Sequence, residues 1–122
     1  MIRLYGVGFD DPTYPALAER CTALVWDTAL QVINSGQDVV LDWNCWSVAR
    51  RHVWASRART AGAQVRLHHL TADLSTAQQR SADRNACAPP HAHQLANEDI
   101  AHLAALFEPP QPFEGIETVR VP

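Results

Sequence analysis

Lysine is absent from this sequence, because all ten of its basic residues are arginine. The absence excludes Schiff-base chemistry and lysine general bases. It also excludes the lysine of a glycine-rich phosphate-binding loop, and no Gly-x-x-x-x-Gly-Lys pattern is built from the five glycines. Any phosphate chemistry of these residues must therefore rely on arginine.

Long apolar runs are missing as well. No stretch approaches the roughly 20 residues that cross a bilayer, and residues 1–11 lack an apolar core of signal-peptide length. We therefore expect a cytoplasmic protein that does not bind membranes. The net charge of -3 and the pI near 6.0 come with scattered arginines, which disfavours nucleic-acid binding. Three widely spaced cysteines predict no disulfide framework.

The hydrophobic content of 47% in 122 residues is typical of one globular domain spanning residues 1–122. Apolar residues at helical spacing predict a long first helix after Pro12 and Pro15, stopped by Gly36. The predicted elements are helices at 14–35, 47–61, 74–85 and 97–107, strands at 38–42 and 64–70, and a weaker last strand at 116–121. This order predicts an α/β fold with a thin, mostly parallel sheet and a right-handed crossover between residues 38 and 70.

The segment 38–51, DVVLDWNCWSVARR, has the strongest functional pattern. A short apolar strand is predicted to end on Asp42, directly before a tryptophan-rich loop and a helix capped by Ser47. Carboxylates at the carboxyl end of a parallel strand are commonly ligand-binding residues. Asp42 is therefore either a metal or substrate contact or a turn residue that caps loop amides. Trp43 and Trp46 beside it either line a small-molecule pocket or pack in the core.

Residues 39–51 match the pattern V-V-L-D-W-x-x-W-S-x-A-x-R. This stretch resembles the P-loop small-molecule kinases related to chloramphenicol phosphotransferase and zeta toxins. The resemblance runs from about residue 1 through the segments RSADRN, APP and LFEPP. It implies an incomplete three-layer P-loop kinase-like fold that corresponds to the part following the phosphate loop, with a lid-like segment at about 74–96.

The resemblance also implies site residues. Asp42 would hold Mg²⁺ through water, and Arg80 and Arg84 of the lid would approach the phosphates of ATP, with Asn85 beside them. Arg80 and Arg84 are four positions apart on one predicted helix, so their guanidinium groups share a face, and forked guanidinium groups match phosphate oxygens. A solvated helix surface is the alternative. The implied substrate-binding residues are Trp43, Trp46 and Arg51.

The sequence offers weaker support for a zinc site than for the Mg²⁺ and ATP site. Cys87, His91 and His93 offer soft and imidazole donors within seven residues, but their C-x3-H-x-H spacing matches no common zinc motif and no fourth ligand is evident. We expect no zinc. Cys45 has no histidine near it in the sequence, which favours an inert, buried thiol over a reactive one.

Two functions follow as hypotheses. The first is a remnant or N-terminally truncated ATP-dependent small-molecule phosphotransferase, with little activity on its own because it lacks the phosphate loop. The second is a non-enzymatic interaction module that oligomerises, for example as a homodimer, through an exposed sheet edge.

Overall fold

The computed structural model describes residues 5–8, 10–87 and 92–122. Within these ranges the chain forms four α-helices, one 3₁₀ turn and two strands. The elements in chain order are α1 (Tyr14–Asn34), α2 (Val48–Thr60), β1 (Arg66–Leu70), α3 (Leu74–Cys87), α4 (Asn97–Ala105), the 3₁₀ turn (Pro112–Glu114) and β2 (Glu117–Val121). The fold class is α/β with a thin parallel sheet, as the sequence predicts.

Both long helices begin and end where local sequence signals place them. Pro15 lies in the first turn of α1, and Gly36 follows its end with a φ of 82°. The Ser47 hydroxyl caps α2 by accepting a hydrogen bond from the Arg50 amide at 3.3 Å, and Gly62 follows its end with a φ of 81°. A positive φ favours glycine, which has no Cβ to clash with the backbone.

The sheet consists of β1 and β2 in parallel, with a register from Arg66 opposite Glu117 to Leu70 opposite Val121. The Thr71 amide extends the ladder by donating to the Val121 carbonyl at 2.9 Å. The weakly predicted strand at 116–121 is thus confirmed, and it is the partner of β1. Because the strands are parallel, the chain between them must return across the sheet, and α3 and α4 lie in this connection.

The predicted strand at 38–42 does not form, and the crossover expected between residues 38 and 70 is absent with it. Residues 37–42 form neither a helix nor a strand, and residues 38–44 make no backbone–backbone hydrogen bond with any described residue. A strand exists only beside a neighbour that accepts and donates its ladder bonds. In this structure β1 is paired with β2, and nothing in the described ranges is paired with the segment 38–42.

Helices α3 and α4 pack against each other through polar contacts with the chain that joins them. The Ser81 hydroxyl and the Asn85 amide both donate to the Leu95 carbonyl, at 3.3 and 2.8 Å. The Asp73 carboxylate accepts from the Thr76 amide at 2.7 Å and caps α3. Residues 88–91, which include Pro89 and Pro90, lie outside the described residues.

The buried core is small for the length of the chain. Among the described residues, Trp26, Ala29 and Ala55 are the buried apolar ones, and Arg51 and Ser81 are the buried polar ones. The accessible surface is 8934 Å², whereas a folded monomer of this mass exposes about 6,500 Å². Several large apolar side chains among the described residues are exposed, including Leu24 at 62%, Phe113 at 77% and Val40 at 91%. None of the described helices has the length and apolarity that crossing a membrane requires.

Candidate functional site

Asp42 lies in the irregular segment between α1 and α2, where its side chain is exposed. It forms no hydrogen bond or ion pair with another described residue. The alternative that Asp42 caps loop amides would require such a bond. A solvated, unpaired carboxylate remains available to a cation, so its predicted role in holding Mg²⁺ stays a prediction that the geometry permits.

The tryptophans beside Asp42 belong to an aromatic cluster. Trp43 packs against Trp54 of α2 with ring centroids 4.4 Å apart, and Trp54 packs against Trp26 of α1 at 5.4 Å. The Arg57 guanidinium lies 4.7 Å from the Trp54 ring centroid. This cluster joins α1, α2 and the loop after Asp42. Trp43 therefore has a packing role, whether or not it also contacts a ligand.

Trp46 is half-buried and contacts Arg50, whose guanidinium carbon is 5.6 Å from its ring centroid. Among the described residues, the Trp46 ring does not contact any ring of the three-tryptophan cluster. Its remaining exposed ring surface lies at the start of α2. The predicted substrate-binding roles of Trp43 and Trp46 are untested by this geometry.

Arg51 is buried, with 2% of the residue exposed, and it makes three hydrogen bonds. Its Nε and Nη2 atoms donate to the two carboxylate oxygens of Glu114 at 2.7 and 2.9 Å. Its Nη1 atom donates to the Cys45 carbonyl at 3.0 Å. Arg51 thus fixes the tryptophan-rich loop to the C-terminal segment. Its predicted contact with substrate would require it to leave Glu114.

A second carboxylate of the C-terminal segment, that of Glu108, caps the N-terminus of α2. Its side chain accepts from the Val48 amide at 2.6 Å, and its own amide donates to the Trp46 carbonyl at 2.8 Å. A negative charge at a helix N-terminus is stabilised by the unpaired amides there. Farther along α2, Arg59 donates to the Gly115 carbonyl at 2.6 Å. Residues 108–115 therefore bind α2 along its length.

Sequence reasoning missed Glu108 and Glu114. Both are distant from α2 in the chain, and Glu114 is 63 positions from Arg51. The LFEPP segment resembles the kinase family, but nothing local shows which amide its glutamate caps. A signal was available for Glu114 only in the general rule that a buried arginine requires an anionic partner.

The electrostatics of the loop follow from these contacts. Hydrogen bonding to Glu114 raises the pKa of Arg51, and the same bond lowers the pKa of Glu114, so both groups stay charged. Burial raises the pKa of the Cys45 thiol, although Arg50, Arg51 and a hydrogen bond with Trp43 act in the opposite direction. A protonated thiol is a poor nucleophile, in agreement with the inert cysteine that the sequence favours.

Arg80 and Arg84 are exposed on α3, and neither makes an ion pair or hydrogen bond with a described residue. Asn85 is different, because its amide nitrogen is committed to the Leu95 carbonyl. The two arginines share one helix face, as predicted. No bond within the described ranges connects them to Asp42, so the structure does not bring the two halves of the predicted phosphate site into contact.

The zinc hypothesis can be followed only in part, since His91 lies outside the described residues. Cys87 is exposed at the end of α3, and the His93 ring packs edge-on against Tyr14 with centroids 5.9 Å apart. Among the residues with described positions, no group of three side chains is arranged to hold a metal ion.

Comparison with known families adds what the contacts leave open. A family model described as an AAA domain matches residues 1–110. No curated protein matches the chain. The match covers most of the sequence, including Asp42, Arg51 and the α3 arginines, and stops before Glu114 and β2. It supports a P-loop, kinase-like, nucleotide-binding domain, which confirms the broad resemblance seen in the sequence. The chain belongs to the AAA domain family.

Proposed function

We propose that this chain is a remnant member of the ATP-dependent small-molecule phosphotransferases related to chloramphenicol phosphotransferase and zeta toxins, acting in the cytoplasm. The observation that carries the proposal is the family match over residues 1–110. The acceptor is a small molecule with a hydroxyl group. The 122 residues alone have little or no transfer activity.

The proposed roles follow the exposed charges. Asp42 binds Mg²⁺ through water, which fits an ion usually held by one or two carboxylates together with substrate phosphates. Arg80 and Arg84 neutralise phosphate charge in ATP from a lid at about 74–96. That both arginines and Asp42 are exposed and unpaired with described residues supports this assignment.

The acceptor would lie against the loop at residues 43–46. Trp43 and Trp46 offer apolar surface there, and Arg51 holds the loop through the Cys45 carbonyl. Asn85 contributes to the ATP end by fixing the chain after α3 rather than by touching phosphate, because its amide is bonded to the Leu95 carbonyl.

The predicted inactivity has a physical cause. In phosphoryl transfer by P-loop enzymes, backbone amides and a lysine of the glycine-rich loop hold the β- and γ-phosphates. The sequence has no lysine and no such loop. Without a phosphate-binding loop, no group holds the phosphates in place for the two surface arginines. A single aspartate binds Mg²⁺ weakly in water.

Isothermal titration calorimetry of the purified chain with Mg-ATP tests the proposal. We expect no binding tighter than about 1 mM and no ATP hydrolysis above the buffer rate. The matched variants Arg80→Ala/Arg84→Ala and Asp42→Asn should leave this baseline unchanged. Micromolar affinity in the native chain that both variants abolish would contradict the predicted inactivity and establish the site.

A second candidate is the non-enzymatic interaction module. The observation that favours it is the two-stranded sheet, in which β1 and β2 each have one edge without a ladder partner among the described residues. Such edges are able to pair with another chain. Concentration-dependent association that is lost when the outer edge of β2 is blocked would favour this candidate.

A further inference from the structure

A groove of about 380 Å³ lies between the C-terminal half of α1 and that of α2. Its lining consists of Trp26, Leu30, Ser56, Arg57, Thr60 and Ala61. Within this set the apolar side chains of α1 are the more buried ones, and the polar side chains of α2 are exposed. Small-molecule sites usually have about 300–1,000 Å³ and combine apolar walls with a few polar groups. This α1–α2 groove has that composition.

The apolar wall of the groove is held in place by the aromatic cluster. Trp26 is 8% exposed and still lines the groove, and its ring packs against that of Trp54 with centroids 5.4 Å apart. Trp54 in turn packs against Trp43. A wall that is already ordered in the free protein reduces the entropy lost when a ligand binds. The wall suits a flat apolar group, because aromatic rings pack against each other in offset or edge-to-face arrangements.

The cation of the groove is Arg57, whose guanidinium carbon lies 4.7 Å from the Trp54 ring centroid. That contact restricts the side chain without using its N–H donors. Arg57 is exposed, and its side chain makes no hydrogen bond or ion pair with any described residue. By contrast, Arg51 of the same helix donates to Glu114. None of the lining residues is acidic, so the groove is positively charged although the whole chain carries -3.

Two hydroxyl groups belong to the same wall as Arg57. The Thr60 hydroxyl donates to the Ser56 carbonyl at 3.0 Å, so its proton is already used. The Ser56 hydroxyl makes no hydrogen bond with a described residue, and it directly precedes Arg57 in the sequence. A hydroxyl donor beside a forked guanidinium group matches a ligand group with two or three anionic oxygens.

We propose that the α1–α2 groove binds a small organic anion with a flat apolar body and one carboxylate or phosphate group. The apolar body packs against Trp26 and Leu30. The anionic oxygens accept hydrogen bonds from the Arg57 guanidinium and the Ser56 hydroxyl. The groove is separate from the phosphotransferase roles proposed above, since none of the residues assigned to Mg²⁺, ATP or the acceptor lines it.

Nuclear magnetic resonance titration of the purified chain with 2-naphthoate at pH 7 tests the proposal. We expect saturable shifts of the Trp26 indole signal and of the Ser56 and Arg57 amides, with a dissociation constant below about 1 mM. The neutral ligand 2-naphthamide has the same apolar body and is the matched control. It should bind about fivefold more weakly, which is near the upper limit for an exposed charge pair.

Four variants locate the site. Arg57→Gln should remove the preference for naphthoate over naphthamide, whereas Arg20→Gln, at an exposed arginine of α1 outside the lining, should keep it. Ser56→Phe fills the groove from an exposed position and should abolish binding of both ligands. Thr28→Phe fills the other groove beside α1, next to residues 39–41, and should leave both affinities unchanged.

Three results would overturn the proposal. The first is the absence of saturable shifts at about 5 mM naphthoate, and the second is equal affinity of the native chain for the two ligands. The third is a set of shifts confined to Trp46 and its loop, or an affinity that Ser56→Phe leaves unchanged, because the ligand would then lie outside the α1–α2 groove. Loss of the naphthoate preference in Arg20→Gln would also contradict the role given to Arg57.

Discussion

Arg51 and Glu114 form a two-point ion pair in which 1% of the arginine side chain and 5% of the glutamate side chain are exposed. The pair connects the first turn of α2 to the 3₁₀ turn, and the third donor of Arg51 holds the Cys45 carbonyl. Each buried charge is paired with the other, so removing either residue would leave the remaining charge buried without a counter-charge.

Removing one member should therefore be costly. We expect Glu114→Gln to lower the free energy of unfolding by about 3–5 kcal/mol, because it leaves a buried guanidinium without a counter-charge. The exposed pair of Arg66 and Glu117 provides the matched control, with side chains 58% and 60% exposed. Glu117→Gln should cost less than about 1 kcal/mol in the same urea titration. Equal losses for the two variants would contradict the role given to the buried pair.

The same pair makes stability depend on pH in a defined direction. The pKa of Glu114 is lowered in the folded chain by Arg51 from an ordinary value of 4.5. The folded state therefore binds the proton less readily than the unfolded state does. The stabilisation is complete above about pH 4.5 and is lost as the pH falls through the lowered pKa. Urea midpoints measured from pH 7 to pH 3 should decline more steeply for the native chain than for Glu114→Gln.

The Glu108 contact predicts a smaller effect on the start of α2. Glu108→Ala should remove the carboxylate that accepts from the Val48 amide and cost about 1 kcal/mol, as the loss of a helix cap does. Ser47→Ala should cost a similar amount through the Arg50 amide. Hydrogen exchange of the first-turn amides should accelerate in both variants. Unchanged exchange at Val48 in Glu108→Ala would argue against the cap.

Cysteine reactivity provides a test of the loop. Burial raises the pKa of Cys45, so its thiol should be alkylated slowly at neutral pH, while the exposed Cys87 should react first. Mass spectrometry of peptides after timed iodoacetamide labelling measures both rates in one sample. In Glu114→Gln the Cys45 rate should increase, because Arg51 no longer fixes the loop. Faster labelling of Cys45 than of Cys87 in the native chain would contradict this view.

The helices were predictable because their boundaries depend on nearby residues. Pro15, Gly36, Ser47 and Gly62 act within one turn of a helix end, and α1 and α2 end within a residue or two of the predicted limits. The strand predicted at 64–70 also forms, as Arg66–Leu70. These signals are local, so one sequence is enough to read them.

The errors concern contacts between distant parts of the chain. The apolar stretch before Asp42 has the composition of a strand, but the ladder that would make it one requires a neighbour that its own residues cannot specify. The ion-pair partner of Arg51 likewise could not be predicted from nearby residues, since Arg51 and Glu114 are 63 positions apart in the sequence. Of the predicted site, Asp42, Arg80 and Arg84 are exposed, and their ligand-binding roles stay predictions. The buried position of Arg51 was not foreseen.

The segment 108–121 supplies the cap of α2, the counter-charge of Arg51, a carbonyl for Arg59 and the strand that pairs with β1. On the ribosome, where chains grow at about 5–20 residues per second, α2 and β1 emerge long before any of these partners. Until then the nascent polypeptide carries an uncompensated arginine and an open strand. The native contacts of α2 and β1 therefore cannot form until residues 108–121 have been synthesised.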